Sequence, residues 1–218
     1  MKISIGCLRV PALLALSLTA MARPAMAESE TRATEPFHAI SFEGSWTVDV
    51  VVGEERSVII EGDKDILPLV KTEVTDGQLR IRIEKPRQHM FGWHELGDLT
   101  AHIVVPELTA FKLQGSGNAS VVGLKGGTTE FNLSGSGDLT AMGWLDALAL
   151  VVNGSGQADL SGVTAAKASA TVNGSGDATV HPGESLAAMV NGSGNVSYLG
   201  DGARVTSVIH GSGQVEKQ

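Results

Sequence analysis

Residues 150–160 read LVVNGSGQADL, and this stretch decides the fold. On both sides of Gly154-Ser155-Gly156 the apolar residues fall at every second position: Leu150 and Val152 before, Ala158 and Leu160 after. That is the period of a strand with one buried face. The triplet begins six times, at Gly115, Gly135, Gly154, Gly174, Gly192 and Gly211, with spacings of 20, 19, 20, 18 and 19. Its closing glycines are Gly117, Gly137, Gly156, Gly176, Gly194 and Gly213.

Aligning the copies turns the flanks into columns. Two residues before each triplet stand Leu113, Leu133, Val152, Val172, Val190 and Ile209, and four before it Phe111, Phe131, Leu150, Ala170, Ala188 and Ser207. Further apolar columns follow the triplet, as in Ala119, Leu139 and Ala158. A second glycine (Gly123, Gly143, Gly162, Gly183, Gly200) marks the next corner of most units. Short strands within a unit of nearly constant length predict a parallel β-solenoid of about 19-residue coils, each stacking ~4.8 Å above the last. Helical repeats need two helices per unit, and propeller blades need about 40 residues. Neither fits.

Tight corners stacked rung on rung leave no room for Cβ atoms, which explains glycine at both edges of the triplet. Asn118, Asp138, Gln157, Asp177 and Asn195, each just after a triplet, predict a polar ladder; Asn153, Asn173 and Asn191, just before, predict another. Carboxylates on neighbouring rungs would repel by about 3 kcal/mol at an effective dielectric near 20. Asp138 and Asp177 are separated by Gln157.

Upstream, residues 37–110 alternate in the same way but without the triplet, and read as degenerate strands of the same domain, which spans 37–218. Ile40, Phe42, Gly44-Ser45, Val48 and Val50 reproduce one copy, and Val58, Ile60, Gly62 and Ile66 suggest another. Asp63 to Val70 predicts a short helical excursion limited by Pro68. Residues 28–36 read as a loose leader. Residues 1–27 have a basic start, an apolar run from Val10 to Ala22 and Ala25-Met26-Ala27, the pattern of a signal peptide. The expected destination is the periplasm, the cell surface or the exterior, with no transmembrane segment after cleavage.

Cleavage there removes the only thiol, Cys7, and three positive charges, taking the formal charge of −8 to −11. Disulfides and thiolate metal sites are then excluded, and a nucleic-acid partner is not expected.

Val105-Pro106-Glu107-Leu108-Thr109-Ala110-Phe111 leading into repeated Gly-Ser-Gly-[Asp/Asn] resembles the bacterial "putative autotransporter adhesin head (GIN) domain" family, over about residues 37 to 216. The resemblance implies an exported domain with a right-handed β-helix-like fold. It brings no catalytic motif to map.

Phe91 and Trp93, in a segment without repeat character, either plug the coil or contact a partner or sugar face. His89, His94, His102 and Glu95 match no zinc spacing, so no metal or other cofactor is expected. The alternative is a polysaccharide-active, pectin-lyase-like β-helix enzyme or a carbohydrate-binding module. Scattered acids, and Arg204 as the sole arginine after residue 87, speak against catalysis. The expectation is a non-catalytic, adhesin-like binding or structural protein, its partner a glycan, an envelope protein or a second copy of itself.

Overall fold

The computed structural model describes residues 28–84 and 99–218. The expected signal peptide and the segment holding Phe91 and Trp93 lie outside the described residues. Strands β1 (Glu28–Thr31), β2 (Ala39–Gly44), β3 (Thr47–Val52) and β4 (Ser57–Gly62) lead to one 3-10 turn (Leu67–Leu69), all that forms of the expected helical excursion. Then come β5 (Val70–Thr75), β6 (Gln78–Ile83), β7 (Thr100–Val105), β8 (Ala110–Gly115), β9 (Asn118–Lys125) and β10 (Thr128–Gly135). Three long strands that bend at corners follow: β11 (Asp138–Gly154), β12 (Gln157–Gly174) and β13 (Asp177–Gly192). The chain finishes with β14 (Asn195–Tyr198), β15 (Arg204–Gly211) and β16 (Gln214–Lys217).

The repeats form the expected parallel β-solenoid, in register at the first glycine of every triplet: Gly44↔Gly115, Gly115↔Gly135, Gly135↔Gly154, Gly154↔Gly174, Gly174↔Gly192 and Gly192↔Gly211. The apolar columns point inward. Leu113, Leu133, Val152, Val172 and Val190 are fully buried in one vertical file. Each such side chain contributes about 1.5–3 kcal/mol by leaving water. Between β11, β12 and β13 a coil has three ladders, which on β11 break at the triplet, between Thr140 and Met142, and around Asp146.

The amino-terminal end departs from the expected plan in three ways. First, rung order is not chain order: β6 and β7 pair in parallel with β2 and β3 on the side away from β8 and β9, so the earliest rung lies second in the stack. Second, Val58 and Ile60 form no further coil. They lie in β4, antiparallel to β7. Only residues 53–56 join β3 to β4, and so short a link can reverse the chain but cannot carry it round a coil to a parallel position. Third, Glu28–Thr31 is not loose: β1 pairs antiparallel with β4, and Arg32 donates from Nη2 to the Leu67 carbonyl at 2.8 Å. The unpaired edge of β4 offers hydrogen bonds that this segment satisfies. With β5 antiparallel on β6 through the Asp76-Gly77 turn, both strands of the outermost rung are covered.

At the opposite end no described strand covers the last rung. Among the described residues β15 pairs only with β13, and β16 only with β14. Ile209 is 43 % exposed, whereas its register partner Val190, one rung inside, is 0 % exposed.

Candidate binding site

The strands that follow each triplet send alternate side chains outward, and parallel register makes two vertical rows of them. The first row runs Thr100, Thr47, Asn118, Asp138, Gln157, Asp177, Asn195, Gln214. The second runs His102, Asp49, Ser120, Thr140, Asp159, Thr179, Ser197, Glu216. Asn118, Asp138, Gln157 and Asp177 are exposed and Asn195 is half-buried. The structure thus brings the five polar residues singled out from the sequence into one file and adds a parallel file beside it.

The charges are staggered. No rung of this face carries two acids: Asp138 and Asp177 occupy the first row, and Asp159, on the rung between them, occupies the second. Staggering lengthens each carboxylate separation beyond the rung spacing and lowers the repulsion. Amides fill the intervals. Asp177 Oδ1 accepts from both the backbone N–H and the Nδ2 of Asn195, at 3.1 and 2.9 Å, and Asn195 Oδ1 accepts from the Gln214 backbone at 3.2 Å. At the other end His102 lies between Asp49 and Glu61, 3.4 and 3.5 Å from their carboxylates. The result is an acidic face rich in hydroxyls and amides.

The ladder before the triplets forms as well, half-buried. Asn173 Nδ2 donates to Asn153 Oδ1 at 2.9 Å, Asn191 Nδ2 to Asn173 Oδ1 at 2.8 Å, and His210 Nδ1 lies 3.2 Å from Asn191 Oδ1. Ser134 breaks the series, bonding Asn132 in its own strand at 3.0 Å. This chain of amides ties successive corners together and leaves little free for a ligand.

A second feature was not evident in the sequence. The early rungs lack the middle ladder, so a hollow of about 490 Å³ opens beneath Leu145. Val52, Leu108 and Leu124 line it with apolar surface, while Glu54, Glu107 and Lys125 are exposed around it. Beside it Trp144 is 55 % exposed and Met142 61 %. The indole rests on the Gly126-Gly127 turn, where a Cβ at Gly126 would stand 2.9 Å from the ring. Asp146 Oδ2 accepts the Gly127 N–H at 2.7 Å and fixes that turn. Trp144 falls between the repeat columns, and only its register with Lys125 and Thr164, both outward, shows that it faces solvent.

Among the described residues no helix is long and apolar enough to cross a membrane, and no group of three or more His, Cys, Asp or Glu is placed to hold a metal ion.

Comparison with known proteins places this geometry in context. The profile of the family described as "Putative auto-transporter adhesin, head GIN domain" matches residues 36–202. Among solved structures, a "putative adhesin" from Bacteroides fragilis is similar with a TM-score of 0.70 at 19 % identity, over 88 % of this chain and 97 % of its own. A "putative lipid binding protein" from Parabacteroides distasonis gives 0.49 at 20 % identity, over 88 % and 96 %. A "putative adhesin" from Parabacteroides merdae gives 0.49 at 17 %, also over 88 % and 96 %. At such identity the first of these relates the fold alone. A search of curated proteins gave no match.

Proposed function

The chain belongs to the auto-transporter adhesin head GIN domain family, and from that premise we propose that it is an exported, non-catalytic, adhesin-like binding protein of the cell envelope that holds a glycan. The observation that carries this reading is the exposed double row of amides, hydroxyls and staggered carboxylates at constant rung spacing. Sugar hydroxyls both donate and accept, and such a row answers them one after another. Each contact is weak, but successive contacts along one chain act at high effective concentration. The exposed indole of Trp144 supports the same reading, because an aromatic face packs against the C–H face of a pyranose.

The non-catalytic part rests on setting: a glycosidase encloses its two carboxylates around one bond in a concave site, whereas Asp138 and Asp177 stand exposed on a sheet face with Gln157 between them. The test is a glycan array followed by calorimetry with oligosaccharides of increasing length. Affinity should rise with length, and Gln157→Ala or Trp144→Ala should weaken binding about tenfold, or about 1.4 kcal/mol, with the circular dichroism unchanged. Retention of no glycan, or turnover of a pectin-like polymer, would overturn the proposal.

A further inference from the structure

The open end of the solenoid carries an inference independent of any glycan. Among the described residues β15 has one free edge, and its inward-facing residues Val205, Ser207 and Ile209 have no rung above them. Ile209 and its neighbour Val208 are each 43 % exposed. An unpaired edge with apolar side chains is a template for another strand. The structure shows how such an edge is closed in this fold, because at the far end β5 lies antiparallel on β6 with Val70 opposite Ile83 and Val74 opposite Leu79.

We propose that β15 pairs antiparallel with β15 of a second copy of this chain, about a twofold axis through Ser207. The sequence of the strand selects that occupant. Read in either direction from Ser207, the inward positions are apolar, so Val205 meets Ile209 of the second copy, and the reverse contact follows by symmetry. The small hydroxyls of the two Ser207 residues meet on the axis, a pairing that favours cross-strand hydrogen bonding. On the outer side Thr206 meets Val208, both β-branched. A register shifted by one residue would bring inward residues opposite outward ones and expose half of the apolar set again. β15 contains no acid, so no carboxylates oppose each other along it despite the acidic whole. The contact is isologous, the same strand on both copies, so it closes at two copies and does not propagate into a fibre.

The test uses the full chain, exported by the cell, in a Cys7→Ser background. Light scattering should give twice the monomer mass, and Ile209→Lys should return it to the monomer with unchanged circular dichroism. Ser207→Cys should oxidise readily to a covalent dimer, because directly opposed antiparallel residues have Cα atoms about 4.5–5.5 Å apart, within disulfide reach. Thr206→Cys is the control. It is exposed as Ser207 is, yet the two copies of residue 206 are offset along the strand and should cross-link poorly. A monomer at every concentration, or cross-linking at 206 equal to that at 207, overturns the proposal, including the case in which another protein occupies the edge.

Discussion

Gly154 and Gly156 are glycines for two different reasons. Gly154 has φ of 126°, a backbone region open almost only to glycine, and a Cβ there would also overlap the Gly135 carbonyl. Gly156 has no positive φ, but its Cβ would run into the Gly137 carbonyl and stand 2.9 Å from Leu133 Cδ2. Gly183 has neither constraint, since a Cβ there would stand 3.6 Å from its nearest neighbour, an ordinary contact. Gly154→Ala should therefore cost about 2–4 kcal/mol, combining strain with overpacking. Gly183→Ala should fall within about 0.5 kcal/mol of the parent. Urea midpoints, at unchanged slope, measure both. The one degenerate triplet follows the same rule: Gly44-Ser45-Trp46 carries an indole where the others carry glycine. Sixteen residues, 84–99, separate β6 from β7 in the adjacent rung, where a triplet corner leaves only two between its strands. The Trp46 ring is buried, edge-on to Phe42 with centroids 4.4 Å apart. The glycine columns were legible residue by residue, whereas the reason for Trp46 needed the neighbouring rung.

At the scale of elements, the last coil is tied down by one ion pair. Lys217 Nζ in β16 donates to Asp201 Oδ1 in the link between β14 and β15. That hydrogen bond, and then the charge of Lys217, hold the Asp201 carboxyl below the usual carboxylate range; the same contacts raise Lys217. A carboxyl lowered on folding stabilises above its unfolded pKa, and the contribution is lost as pH falls through the lowered folded value. For the raised lysine the contribution is present below its unfolded pKa and lost as pH rises through the folded one. The tie is therefore intact across neutral pH. Lys217→Ala should return Asp201 to an ordinary carboxylate titration by NMR while global stability stays nearly constant, since exposed pairs contribute little. Strand period was readable everywhere, including β4, but partner and direction were not. Val58 and Ile60 alternate as well as Ile40 and Phe42 do, and only the short link from β3 makes β4 antiparallel.

In the molecule as a whole, stability should follow the stack, because each rung of a solenoid contacts only its neighbours. Among the described residues β10 to β12 have rungs on both sides, the amino-terminal rung has its antiparallel cover, and β15 with β16 has neither. Hydrogen exchange of the Ile209→Lys chain, in which the end is free, should be slowest in β10–β12 and fastest in β15 and β16, and β15 should become protected in the unmodified chain. Uniform exchange along the axis would contradict a stack of nearest-neighbour contacts. The amino-acid sequence alone determined the coil: inward columns, glycine corners and the file of Asn118, Asp138, Gln157, Asp177 and Asn195 all follow from local backbone limits repeated at one period. Tertiary structure alone decided that β6 and β7 slide beneath β2 and β3, that β1, β4 and β5 cover one end, and that a hollow opens beside Trp144. Those outcomes depend on which unpaired edge a strand meets, and hydrogen bonding between edges distant in the chain leaves no periodic mark on the residues that make it.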